Sequence, residues 1–437
     1  MGDAVSLVIE LGWALVLLVL ALPVLVLCTE IAMALRVCAR GPFAGVPLHP
    51  GPHRLRDTTA PEPPGPPPST AILIPAHNEA AGIGQTLAVF AQRPSWLRLC
   101  VVADNCSDDT AAIARQAGAE VVERHDLLHR GKGYALHAGM QALSAHPPEV
   151  VLVLDADCLT RLPDMAALSL ACHGAKRPMQ AAYLMRAPQG AGLGLRVAEF
   201  AWRIKTWVRP LGWRQMGRGG SLLGSGMAFP WEVLAAMPLA SGHITEDLSL
   251  SFRLAQARAM PLFYPLATVE SVFPTSEEAQ QAQRTRWEHG HLGILGSEVP
   301  RALGAGLLKG EVDRLVLALY VLVPPLALLV LALGATGLAA VLTAALGGPI
   351  WPLLGTGLCA GLLVTSLFLA WSRWGSDAMT GADWLHIPRY VWQKLGIYQR
   401  WVRQPETQWT RTQRSDPVQP APTPTHDRPP NEPPASR

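Results

Sequence analysis

Residues 151–160, VLVLDADCLT, set an apolar, strand-type run against two carboxylates one residue apart, Asp155 and Asp157. A short apolar run of this kind reads as a buried strand. Extended backbone directs residues i and i+2 to the same side. Two carboxylates so placed repel unless a cation or a shared proton stands between them. Hard oxygen donors in this arrangement suit Mg²⁺ or Mn²⁺, with the remaining ligands drawn from water and a diphosphate. A solvated turn is the plain alternative.

Around this stretch the pattern alternates. Strands are predicted near 71–75, 99–103, 119–122 and 150–154, with helices over 80–92, 108–117 and 131–145. Such alternation predicts an α/β domain with a mostly parallel, doubly wound sheet. Ligands bind these sheets at the carboxyl ends of the strands. Polar signatures fall at those ends: PAHNEA (75–80), ADNCSDDT (103–110) and DADC (155–158). Ser107, Asp108 and Asp109 suit the cap of the next helix. Asp104 precedes the cap and sits directly at the strand's end.

Composition bounds the rest. Of 437 residues, 49% are apolar and only 16% charged, which points to membrane segments. The net charge of +3 and the lack of a basic stripe with interleaved aromatics exclude a nucleic-acid partner. The seven cysteines lack CxxC spacing, so free thiols in a reducing compartment are expected. The apolar run from Val5 to Leu27 is long enough to span a bilayer. Arg36, Arg40, Arg54 and Arg56 follow it, which places the N-terminus outside and the next segment in the cytoplasm. PEPPGPPP (61–68) reads as a stiff linker. Residues 315–347 and 350–371 read as two spans, with Pro324–Pro325 leaving open a third, re-entrant piece. Arg373, Arg389, Lys394, Arg400 and Arg403 return the chain to the cytoplasm, and 416–437 is a disordered tail by composition. The expected organisation is an N-terminal transmembrane helix (1–35), a Pro-rich linker (36–70) and the α/β domain (71–300). An interfacial segment with transmembrane helices (301–372) and a cytoplasmic tail (373–437) follow.

Further motifs are each ordinary alone. GKG (131–133) opens a helix and sets a cation near its start; GSG (224–226) lies further on. ITED (244–247) is a Thr-capped helix whose first acids suit its dipole. QRTRW (283–287) serves equally as an interfacial anchor. His289 and His291 beside it are metal-ligating types, and the basic-aromatic stretch 199–220 is either an acceptor-side element or a solvated helix with buried tryptophans.

In this order, HNE after the first strand, an Asp after the second, DxD, TED and QxxRW, the chain resembles the membrane-bound family 2 glycosyltransferases over residues 70–300 and the flanking helices. That group includes cellulose, chitin, hyaluronan and poly-N-acetylglucosamine synthases and ceramide glucosyltransferase. The resemblance implies a GT-A fold and an inverting enzyme that uses a nucleotide sugar, often a UDP-sugar. It implies that Pro75, Asn78, Glu79, Asp104 and Lys132 bind the nucleotide sugar. Asp155 and Asp157 would hold Mg²⁺ or Mn²⁺ against the donor diphosphate, and Asp247 would be the general base. Gln283, Arg286 and Trp287, with Glu246, would lie at the acceptor and diphosphate end. The expected setting is a bacterial inner membrane with the catalytic domain cytoplasmic, in exopolysaccharide or glycolipid synthesis. The acceptor is a glycan or lipid-linked, and other polysaccharide assembly proteins are candidate partners. Three spans are few for a chain that alone makes and exports a long polymer. A polyprenyl-phosphate glycosyltransferase and a non-catalytic scaffold of an export complex are the alternatives.

Overall fold

The computed structural model describes residues 2–37 and 65–403. Cys38, the linker proline cluster over 61–64 and the 416–437 tail lie outside the described residues. The chain begins with helix α1 (Gly2–Val37) and continues into β1 (Thr70–Ala76), α2 (Ile83–Ala88), β2 (Leu97–Asp104) and α3 (Thr110–Gln116). Next come β3 (Glu120–Arg124), α4 (Lys132–Leu143), β4 (Val150–Val153), α5 (Leu162–Ala175) and β5 (Met179–Arg186). Helix α6 (Leu193–Arg203) runs through a π-helical turn (Ile204–Val208) into α7 (Arg209–Gln215), followed by β6 (Met227–Pro230) and α8 (Trp231–Ala235). Helix α9 (Glu246–Gln256), β7 (Leu262–Val272) and α10 (Glu277–Ser297) complete the α/β part. The last segments are α11 (Val299–Lys309), α12 (Val312–Leu322), α13 (Leu326–Ala345) and α14 (Trp351–Trp374), then a 3₁₀ turn (Gly381–His386), α15 (Ile387–Gln393) and α16 (Leu395–Arg403).

The seven strands form one sheet in the order β3-β2-β1-β4-β6-β5-β7. β6 is antiparallel to its neighbours and the other pairings are parallel. Chain order reverses between β1 and β4, which opens a crevice at their carboxyl ends. β1 and β4 are buried on both faces, as apolar central strands of a covered sheet must be. One face packs on Phe90, Leu168 and Met165; the other packs on Leu136, Met140 and Leu254.

Among the described residues, three helices are long and apolar enough to cross a membrane: Ser6–Arg36, Leu326–Ala345 and Trp351–Trp374. Leu7, Leu11, Leu15, Leu18, Leu354 and Leu358 stand exposed on them. The run 315–347 is broken at Pro324–Pro325, where the rings cannot continue a helix. What precedes the break is no third span. It is the eleven-residue α12, whose Val316, Leu317, Tyr320 and Val321 are buried with Leu248 and Phe252 of α9. The stretch after α14 is folded in its first part. Asp377 pairs with Arg203 (2.5 Å), Asp383 with Arg196 (2.6 Å), and Lys394 with Glu288 (2.6 Å).

Helix α1 is seated directly on α7. A Cβ at Gly212 would collide with the Glu30 carbonyl, so glycine permits the close approach. At the contact, Glu30 is fully buried and bonded to Arg209 and to Trp213 Nε1 (2.5 Å).

Candidate active site

The crevice at the β1/β4 switch opens into a cavity of about 550 Å³. Pro75 and Glu79 reach it from the end of β1 and its loop, Asp104 from the end of β2, and Asp155 and Asp157 from the loop after β4. Lys132 is the first residue of α4, Glu246 and Asp247 form the first turn of α9, and Gln283, Arg286 and Trp287 project from α10. The candidate residues far apart in the chain thus converge on one space. Asn78 is the exception: it is not among the cavity-lining residues. It has φ of 56°, and its side-chain oxygen accepts from the Ser107 amide at 2.7 Å, pinning the loop after β1 to the loop after β2. The N-cap residue of α3, Asp109, makes no side-chain cap bond; Asp108 before it accepts from the Thr110 amide (3.1 Å) and the Ala80 amide (3.0 Å).

Lys132 is the electrostatic hub. Its ammonium bonds to Asp155 Oδ1 and to the Gly224 carbonyl (2.7 Å) and lies 3.8 Å from Glu246 Oε1. Gly224 has φ of +92°, a left-handed conformation that glycine adopts freely and that lets its carbonyl face the lysine. Burial opposes the charge on Lys132, but Asp155, Glu246 and Asp247 outweigh it and hold its pKa above the ordinary value. Burial pushes the Glu246 carboxyl up to about 7, with Lys132 opposing and Asp247 adding to the shift. Asp247 is also raised by burial, against the pull of Lys205 and of the Leu248 amide, which donates to Asp247 Oδ1 at 2.8 Å. Asp104 Oδ1 accepts from Arg124 Nη1 at 2.7 Å and from Asn105 Nδ2 at 2.9 Å, so its carboxylate is fixed at the rim.

Asp155, Asp157 and Cys158 bring potential ligand atoms within 4.8 Å of one another. Ser271 Oγ donates to Asp157 Oδ2 at 3.1 Å and steadies it. Cys158 offers a soft sulfur, poorly matched to a hard cation, and its thiol is directed at Asp157 Oδ1 (3.9 Å). The usable donors are the two carboxylates, a hard oxygen set that fits Mg²⁺ or Mn²⁺. The histidines beside Trp287 are used otherwise. His289 Nε2 meets the Ile397 carbonyl (3.1 Å) and His291 Nε2 the Val321 carbonyl (3.0 Å). Burial holds His291 down to about 3, hence neutral.

Several lining residues lie beyond the motifs. Trp202 stacks on Trp287 with ring centroids 4.6 Å apart and planes at 33°, and Trp202 Nε1 donates to the Tyr183 carbonyl at 3.0 Å. Lys205 and Arg209 follow Trp202 at helical spacing and line the same space, as do Tyr320 and Val321 of α12. The signal in 199–220 was this three- and four-residue spacing of aromatic and basic residues; nothing local marked Tyr320.

A doubly wound sheet whose switch-point crevice gathers carboxylates, a buried lysine and a tryptophan pair has the layout of an α/β enzyme with its site at the strands' carboxyl ends. The family model described as "Glycosyltransferase like family 2" matches residues 66–290, over half of the chain. The protein belongs to glycosyltransferase family 2, and the mostly parallel sheet is the family's GT-A fold. An uncharacterized glycosyltransferase of Mycobacterium tuberculosis is 29% identical over 194 residues, 41% of this chain and 83% of the relative. A probable glycosyltransferase of Bacillus subtilis is 26% identical over 257 residues, 51% of this chain and 55% of the relative. Among solved structures, a mannosyltransferase from Pyrobaculum calidifontis in complex with GDP-Man and Mn²⁺ is similar at 18% identity and a TM-score of 0.45. The match covers 83% of this chain and 99% of that one. Glucosyl-3-phosphoglycerate synthase from Mycobacterium tuberculosis, with Mn²⁺, UDP-glucose and phosphoglyceric acid, is similar at 21% identity and a TM-score of 0.32, covering 47% and 70%.

Proposed function

We propose that this glycosyltransferase moves a sugar from a UDP-sugar to a glycan or lipid-linked acceptor, with inversion, at the cytoplasmic face of a bacterial inner membrane, in exopolysaccharide or glycolipid synthesis. The supporting observation is the arrangement around Lys132, which contacts Asp155 on one side and approaches Glu246, the neighbour of Asp247, on the other. Donor chemistry and acceptor chemistry then meet in one cavity.

Asp155 and Asp157 would hold Mg²⁺ or Mn²⁺, which when bound would neutralise charge on the donor diphosphate. Pro75, Glu79 and Asp104 line the side where the nucleoside would lie, and Lys132 adds a cation for the leaving diphosphate. Asn78 acts there indirectly, by holding the loop of Glu79 in place. Asp247 accepts the proton of the acceptor hydroxyl as its oxygen bonds to the anomeric carbon and the bond from that carbon to the diphosphate oxygen breaks. Trp287, backed by Trp202, offers a flat apolar face to the acceptor sugar, with Gln283 and Arg286 beside it. Arginine in the interfacial setting and the cytoplasmic supply of nucleotide sugars favour the inward topology.

Membranes holding the full chain, given a panel of UDP- and GDP-sugars with Mn²⁺ and analysed by mass spectrometry, test this reading. Sugar transfer that selects a UDP-sugar supports it. Transfer that selects a GDP-sugar overturns the donor assignment, and absence of both transfer and donor hydrolysis overturns the catalytic reading.

A further inference from the structure

The cations of the cavity are unequal in their partners. Lys132 is matched by Asp155 and Glu246, and Arg209 by Glu30, while Arg130 at the rim is exposed to solvent. The Lys205 ammonium, among the described residues, has no hydrogen bond and no ion pair; its near neighbour is the face of Trp202, 5.3 Å from the ring centroid. Burial pushes its pKa down, Asp247 opposes this without forming an ion pair, and Arg209 adds to the lowering while Glu288 opposes it. The ring face attracts the ammonium, but with no carboxylate in contact the cost of burying the charge is only partly offset. Such a position is stabilised once a ligand supplies the counter-charge.

Its location says which ligand. Lys205 sits on the π-helical turn between α6 and α7, a deviation from regular helix often found at functional sites. It shares the cavity with the Trp202–Trp287 stack, Asp247, Tyr320 and Val321, while the nucleotide side is lined by Glu79 and Asp104 at the ends of β1 and β2. Tyr320 and Val321 belong to α12, which passes through Pro324–Pro325 directly into the spanning-length α13. Tyr320 is tied to this turn, its hydroxyl donating to the Lys205 carbonyl at 3.1 Å. The wall around Lys205 is therefore continuous with a helix fit to lie in the bilayer.

We propose that Lys205 docks an anionic group, a phosphate or carboxylate, carried by the acceptor near the hydroxyl that faces Asp247. This rests on the donor end being that of Asp155 and Asp157. The acceptor is then an acidic molecule, and a neutral glycan or neutral glycolipid lacks the partner Lys205 needs.

The test uses the full chain in phosphatidylcholine nanodiscs with saturating UDP and Mn²⁺, so that the diphosphate end is filled. UDP binding is measured first: its absence in the native protein sinks the donor reading, independently of Lys205. The probes are dodecyl phosphate, inorganic phosphate and, as a neutral control, dodecyl maltoside, with binding read by calorimetry. Dodecyl phosphate should bind the native protein, bind Lys205→Gln about tenfold or more weakly, and bind Lys205→Arg, which keeps the charge, nearly as well as the native chain. Maltoside binding should not distinguish the three proteins. Inorganic phosphate binding as tightly as dodecyl phosphate marks a soluble acidic acceptor; much weaker binding marks an anion borne on an amphiphile. Equal binding of dodecyl phosphate to native and Lys205→Gln protein, or no binding to the native protein, overturns the proposal.

Discussion

Glu30 and Arg209 form a buried ion pair, Arg209 Nε to Glu30 Oε2 at 2.5 Å, that fastens the N-terminal helix to the wall of the cavity. Arg209 also donates to the Tyr320 carbonyl, with its guanidinium over the Tyr320 ring at 4.4 Å. One arginine thus joins α1, α7 and α12 at the edge of the site. Breaking a buried pair from one side leaves the other charge uncompensated, at a cost of about 3–5 kcal/mol. Glu30→Gln should lower the unfolding temperature of the purified protein markedly, and Glu30→Gln with Arg209→Gln should recover part of the loss. An unchanged melting temperature in the single variant would show that the pair contributes nothing to the seating of α1.

Trp287→Ala removes one ring of the Trp202 stack. The expected result is a raised acceptor KM with UDP affinity held near normal, because the proposed nucleotide position is at Glu79 and Asp104, which line the cavity at the ends of β1 and β2. The stacked pair itself contributes about 0.5–1.5 kcal/mol beyond its buried area. Loss of UDP binding with an unchanged acceptor KM would contradict the placement.

Glu246 carries a pH signature. Its carboxyl rises from an ordinary 4.5 to about 7 on burial. Between those values the folded chain holds a proton that the unfolded chain has released. The stability contributed by this carboxyl therefore falls as pH rises across that window and levels off above it. Glu246→Gln should flatten this slope, as read from chemical denaturation at pH 5, 6 and 7. A native-minus-variant difference of the opposite sign, or no difference, would remove Glu246 as a source of the slope.

The first half of the domain was legible because its strands are bounded by Gly, Pro and acids and alternate with helices. β1 to β4 fall within three residues of their expected limits. β5, β6 and β7 were not anticipated. β6 is only four residues and antiparallel, and β7 carries Pro265 opposite the register shift between Ala181 and Ala182. In the site, the motif residues were readable as acids at strand ends, although Asn78 turned out to hold a loop. Trp202, Lys205 and Arg209 were visible only as a spacing whose meaning depended on which face met the cavity. Tyr320 was hidden by hydropathy: LVLALYVLV reads like the span that follows, and only tertiary packing on α9 separates them.

Asp247→Asn separates catalysis from binding. Asp247 stands in the first turn of α9, where the helix dipole favours an anion, with the Leu248 amide on its carboxylate. As the base it should be needed for turnover alone. The amide variant should retain UDP and Mn²⁺ affinity while transfer falls by roughly 10²-fold or more. Were Asp247 only a favourable first-turn acid, the variant would cost at most about 1 kcal/mol of stability and leave the rate unchanged.

In the proposed reaction Asp155 and Asp157 receive a divalent ion carrying the donor. Asp157→Asn removes a charged oxygen with little change in volume, while Ser271 remains available to hold the side chain in place. The direct measurement is UDP-sugar affinity of native and Asp157→Asn protein, each with Mn²⁺ and with excess chelator. The account predicts tight binding only for native protein with Mn²⁺, and weak binding in the other three cases with the fold intact. Equal affinity of the native protein in chelator, or an Asp157→Asn affinity that still responds fully to Mn²⁺, would contradict it.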